Sequence, residues 1–152
     1  MDLFQFLTLV VTGFTACAEF GSYAFVHPVL RRLPGEYHLQ VEKGLLRTFR
    51  RVMPVLMTLT VVLSIAYAVR TNRTASEAGT IYWASAACFT LALIFTIIFN
   101  VPINLATGEW DPSKPPEDWK KTRNRWEFFQ GVRSWLLLIG FVLFAFATSF
   151  RS

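Results

Sequence analysis

Charge, cysteine and histidine are all scarce in this sequence. Charged residues make up 16% of the 152, against about 25% in an ordinary soluble domain. The two cysteines, Cys17 and Cys88, fall inside apolar runs, so neither a disulfide nor a thiolate metal site is expected. No glycine-rich phosphate loop, Cys-x-x-Cys pair or His-x-x-x-His pair occurs. Of the two histidines only His27 lies at the depth of an apolar run. That excludes a bis-histidine haem and disfavours an all-protein zinc site. Repeats and low-complexity tracts are absent too, and the chain reads as one domain over residues 1–152.

What the sequence does hold is length in its apolar runs. Leu3–Val26, Val52–Val69, Ala78–Phe99 and Ser134–Phe150 each reach the roughly 17–25 residues a membrane helix needs, and the last two carry no charge. Buried helices of a soluble bundle would leave almost no polar exterior. The expected fold is therefore all-α, an integral membrane four-helix bundle of antiparallel spans at about 3–28, 50–70, 78–100 and 132–150. The first run contains Ala16-Cys17-Ala18, which looks like a leader cleavage site, but no Lys or Arg precedes it and it continues past Ala18. It reads as a retained span.

Basic residues set the orientation. Arg31, Arg32, Lys43, Arg47, Arg50 and Arg51 lie between spans one and two; Lys114, Lys120, Lys121, Arg123, Arg125 and Arg133 lie between spans three and four. The remaining connection has Arg70 and Arg73, and the C-terminus has Arg151. Positive-inside asymmetry places both basic segments in the cytoplasm and both termini outside. The net charge of +5 thus reads as topology and contact with membrane lipids, with no nucleic-acid partner. Leu39, Leu45, Leu46 and Phe49 have amphipathic spacing, so the second helix starts near Glu36, within the cytoplasm, with Pro54 as a candidate kink. The fourth starts near Pro116 and carries Trp119, Trp126, Phe128 and Phe129 among charges, as an interfacial helix does. Helices 2 and 4 are therefore expected to extend on the cytoplasmic side.

Inside the first span, Glu19, Tyr23 and His27 are spaced four apart and share one helix face. An acid at membrane depth is expensive and marks a functional interior by default. His27, Arg51, Asn100 and Arg133 each stand at the cytoplasmic end of an apolar run, which suggests one polar layer. Asn104 and Gln130 fall a turn further out, and Glu19 lies about 12 Å from His27 along the helix axis. Counted this way Glu19 stands alone in mid-bilayer, Tyr23 links it to His27, and His27 carries the greater weight for chemistry. His27 has a proton acceptor's range; its plainer role is to fix a helix end. Glu19 could act as a buried acid or simply bond to a neighbouring Ser or Thr. Asn100-x-Pro102-x-Asn104 is either a helix ending or a ligand site. Arg133 offers a planar fork for an oxyanion, whereas Arg123 and Arg125 read as headgroup anchors.

This set of residues resembles the anthrone oxygenase family of small four-span membrane proteins. The resemblance rests on His27-Pro28, Arg51 through Pro54, Asn100-x-Pro102-x-Asn104, Trp110, Trp119 and Arg125-Trp126-x-x-x-Gln130-x-x-Arg133. Gln130 departs from the Asn or His expected there. The resemblance implies a membrane-embedded oxygenase that oxidises a hydrophobic phenolic, anthrone-like substrate to a quinone with dioxygen and no cofactor. His27, Arg133 and Glu19 would be its catalytic residues. Tyr23, Arg51, Asn100, Asn104, Trp126 and Gln130 would bind substrate, and no metal ligand is expected. Two other readings stand beside it. One is a non-catalytic binding or accessory protein whose chamber holds a lipid, quinone, haem or metal. The other is a proton-coupled transporter relaying through Glu19, which would require a homo-oligomer.

Overall fold

The computed structural model describes residues 2–71 and 77–150, so Arg73 and Arg151 lie outside the described residues. It is all-α, with no strand among those residues. The helices are α1 (Leu3–Gly21), α2 (His27–Leu30), α3 (Gly35–Thr71), α4 (Glu77–Phe95), α5 (Val101–Glu109) and α6 (Trp119–Ser149). One π-helical turn, Ser22–Val26, joins α1 to α2, and another, Thr96–Asn100, joins α4 to α5. The chain therefore forms four rods long and apolar enough to cross a membrane. This is a multi-pass membrane protein. Each long helix packs on two neighbours, in the ring order α1, α3, α4, α6.

The burial pattern is the reverse of a soluble bundle. The buried residues of α1 are Gln5, Thr8, Thr12, Thr15, Ala16 and Glu19, while Leu3, Phe6, Leu7, Val10 and Phe14 are exposed. In lipid the apolar side chains gain nothing by facing inward, so helices associate through small residues and internal hydrogen bonds. Both devices are present. Thr8, Thr12 and Thr15 donate to carbonyls one turn back, and Thr60 Oγ1 donates to Thr15 Oγ1 at 3.1 Å. Ser85 Oγ donates to the Gly140 carbonyl at 2.7 Å, and Gln5 Nε2 donates to Tyr82 Oη at 3.2 Å. Glycines accept aromatic rings: a Cβ on Gly140 would lie 2.8 Å from the Phe89 ring, and one on Gly13 2.8 Å from Phe141. At the α1 start and α3 end, Asp2 pairs with Arg70 at 2.8 Å.

The sequence expectations shift at two helix boundaries. The third rod does not end at Asn100. It passes through the π turn and Pro102 and continues to Glu109. Pro28 and Pro102 both follow a π turn by two residues. A proline lacks the N–H and crowds the carbonyl four residues back, and the wider turn relieves that. Pro54, by contrast, lies within uninterrupted α3. The fourth rod begins at Trp119, with Asp118 as N-cap, a few residues after Pro116. In the preceding loop the Ser113 hydroxyl and backbone N–H both donate to Asp111, holding its carboxyl below the usual carboxylate range.

Candidate functional site

A cavity of about 550 Å³ lies between α3 and the α4–α5 rod, closed behind by α1, α2 and α6. Ligand pockets commonly occupy about 300–1,000 Å³. Its walls are largely apolar, with Leu46, Phe49, Met53, Met57 and Leu93, while its back carries Glu19, Ser22, His27, Asn104, Trp126, Gln130 and Arg133.

Glu19 is not alone. Arg133 Nη2 donates to its Oε2 at 2.7 Å, and Gln130 Nε2 donates to the same oxygen at 2.9 Å. Arg133 Nη1 also donates to Thr96 Oγ1 at 3.3 Å, and Ser134 Oγ to the Glu19 carbonyl at 3.3 Å. A carboxylate and guanidinium buried together avoid the cost of either one unpaired. Gln130, the position that departs from the expected Asn or His, is thus a direct partner of Glu19.

The stripe on the first rod is Glu19, Ser22 and His27, at spacings of three and five, rather than Glu19, Tyr23 and His27. In a regular α-helix eight residues carry a side chain about 80° past its starting direction. The π turn takes up the extra residue, its closing bond running from the His27 N–H to the Ser22 carbonyl. Glu19 and His27 then share the cavity with Ser22. Tyr23 is rotated onto α6, where its ring edge lies 2.9 Å from a Cβ position on Gly131, in a separate groove with Phe128 and Trp135. Tyr23 therefore does not link Glu19 to His27.

Arg51 is exposed and does not line the cavity; Arg47 and Arg50 of α3 do. The apolar-run count that gave its depth carried no information on rotation. Asn100 is fully buried and donates from Nδ2 to the Trp126 carbonyl at 3.3 Å, tying the π turn to α6 outside the cavity lining. His27, Asn104, Trp126, Gln130, Arg133 and Glu19 are the six expected residues that the fold does bring together.

Beside His27 lies a second buried cluster that sequence reasoning missed. Arg123 Nη2 donates to Glu42 Oε2 at 2.6 Å, and its Nη1 to Thr107 Oγ1 at 3.3 Å. His38 Nε2 is 3.3 Å from Glu42 Oε1, and Arg31 pairs with Glu127. Arg123 also lies over the Trp126 ring, 4.1 Å from its centroid, and Trp126 packs against His27. Arg123 is thus no headgroup anchor; Arg125, exposed over Phe129, fits that description. The available signal was the spacing Arg123, Trp126, Gln130, Arg133, which is one face of α6.

Several buried polar atoms around the cavity have no hydrogen-bond partner among the described residues. They are the acceptors Glu19 Oε1, Gln130 Oε1 and Asn104 Oδ1, and the donors Arg133 Nε and Trp126 Nε1, together with His27 Nδ1. Buried polar groups in folded proteins are nearly always satisfied, so each one requires a reason. Acceptors and donors side by side in a largely apolar chamber suit a ligand that both donates and accepts hydrogen bonds.

A family model described as anthrone oxygenase matches residues 45–143. The match takes in Asn104, Trp126, Gln130 and Arg133 and stops short of Glu19 and His27. No curated protein and no solved structure matches the chain.

Proposed function

The chain belongs to the anthrone oxygenase family, and from its chamber we propose a membrane-embedded oxygenase acting on a hydrophobic phenolic, anthrone-like substrate. The observation that carries this reading is the set of unpartnered polar atoms around a cavity with largely apolar walls. Substrate hydroxyls would donate to Gln130 Oε1 and Asn104 Oδ1. The substrate carbonyl would accept from Arg133 Nε or Trp126 Nε1, donors aimed at the oxygen where negative charge develops.

The reaction class is conversion of an activated methylene to a carbonyl. In balance, R₂CH₂ and O₂ give R₂C=O and H₂O. A base removes one methylene proton, and the electron pair left on carbon is delocalised into the substrate oxygen. Dioxygen oxidises that electron-rich carbon with formation of a C–O bond, and the peroxide anion takes the proton back from the base to give a hydroperoxide. Loss of water from the hydroperoxide breaks its O–O bond and leaves the ketone. We assign the base to Glu19 Oε1 rather than to His27. Two donors hold Oε2 and orient the carboxylate, leaving Oε1 open, whereas His27 Nδ1 is turned toward Glu42, 3.6 Å away. Arg133 both pairs with the base and stabilises the substrate oxyanion.

The accompanying topology has both termini outside, the basic segments in the cytoplasm and the spans antiparallel. The meeting of Asp2 with Arg70 supports the up-and-down order. Exposed Ile97 and Leu105 at the cavity edge fit a substrate taken from the lipid phase. Anaerobic titration of the purified protein with anthrone tests the reading before any turnover. Saturable quenching of tryptophan fluorescence that is lost in Arg133→Ala is expected; quenching equal in both proteins would overturn it.

A further inference from the structure

The cluster beside His27 holds more ligand atoms than its ion pairs use. Glu42 is balanced by Arg123, and Glu127 by Arg31. His27 Nδ1 is left over. Its residue is only 3% exposed, the atom has no hydrogen-bond partner among the described residues, and it points at Glu42 Oε1 from 3.6 Å. This imidazole nitrogen is buried against two carboxylates and is hydrogen-bonded to neither.

We propose that His27, Glu42 and Glu127 form a binding site for a divalent transition-metal ion. One ligand atom from each residue lies within 4.8 Å of the other two. Ions of this kind bind imidazole and carboxylate at about 2.0–2.2 Å, which sets ligand atoms about 3–3.5 Å apart. The ligand atoms would therefore draw together by up to about 1–2 Å on binding. One imidazole with two carboxylates is a donor set suited to zinc, iron or manganese, and the two cysteines lie elsewhere.

The surroundings fit a metal site as well. His38 Nε2 and Arg123 Nη2 hold the two oxygens of Glu42 from outside, as outer partners fix a ligating carboxylate. The Trp126 ring covers His27. Arg31 is the one competitor that can leave. Its side chain is half exposed, so an ion taking Glu127 would release it into the aqueous boundary. Two carboxylates, Arg123 and the ion would then carry a small net charge. Because His27 and Glu42 also line the cavity, the ion would sit at its wall. The three ligands come from α2, α3 and α6, so occupancy would clamp those helices together.

The test uses the full chain in nanodiscs, stripped with chelator, and does not depend on any substrate. Zn²⁺ is titrated calorimetrically, and Co²⁺ by its visible absorption. One ion per chain is expected, weakened at least about tenfold in His27→Gln. Arg31→Gln keeps every ligand and an amide donor beside Glu127 while removing the competing charge, so it should bind severalfold more tightly. No stoichiometric uptake by wild type and Arg31→Gln would overturn the site. Uptake unchanged in His27→Gln, or unchanged or weaker in Arg31→Gln, would overturn it as well.

Discussion

Glu19 and Arg133, 114 residues apart in the sequence, meet at 2.7 Å inside the bundle. Both are buried, so the pair is at once a structural tie between α1 and α6 and the centre of the proposed chemistry. Truncation separates the two roles. Arg133→Ala leaves a buried carboxylate without its counter-charge and should cost about 3–5 kcal/mol of stability. The double variant Glu19→Leu, Arg133→Met should recover most of that, because no charge remains buried, yet stay inactive. Denaturant unfolding in micelles reads the first effect, and turnover the second.

The π turn makes a sharper prediction about two adjacent residues. Tyr23→Phe should leave anthrone turnover unchanged, since the hydroxyl lies over Gly131 in a different groove. Ser22→Leu should impair it by filling the chamber beside Glu19. Steady-state rates for the two variants decide whether the functional stripe follows Ser22 or Tyr23.

Trp126→Phe removes one donor while keeping a ring between Arg123 and His27. One hydrogen bond of about 0.5–1.5 kcal/mol is lost, so ligand affinity should fall by about 2- to 10-fold, measured in the same anaerobic titration. An unchanged affinity would remove Trp126 Nε1 from the substrate site.

The four rods were legible because long apolar runs are a local property of the chain. Six of the nine expected site residues do line one cavity, Glu19, His27, Asn104, Trp126, Gln130 and Arg133. Azimuth was the part that could not be read. A regular four-residue period put Tyr23 in line with Glu19, and only the π turn before Pro28 puts Ser22 there instead. Arg51 was placed by depth alone, and its exposed position is again a matter of rotation. Glu42 and Arg123 were hidden for another reason. Each looks like a solvated charge on an interfacial helix, and they are 81 positions apart, so nothing local announces that they meet.

Packing between α4 and α6 rests on glycine. Phe89 is fully buried and its ring lies 2.8 Å from where a Cβ on Gly140 would stand, and Ser85 bonds to the Gly140 carbonyl. Gly140→Ala should therefore destabilise the protein by about 1–3 kcal/mol, with little effect on turnover per folded molecule. Thermal unfolding in detergent compared with the specific rate measures both.

The central claim is that Glu19, oriented by Arg133 and Gln130, starts an oxidation that consumes dioxygen. Simultaneous recording of oxygen uptake and anthraquinone formation by the protein in nanodiscs tests it most directly, for wild type and Glu19→Gln. The account predicts one O₂ consumed per quinone formed, with a kcat at least about 100-fold lower in Glu19→Gln while anthrone still binds. Quinone formation by Glu19→Gln at the wild-type rate would contradict it.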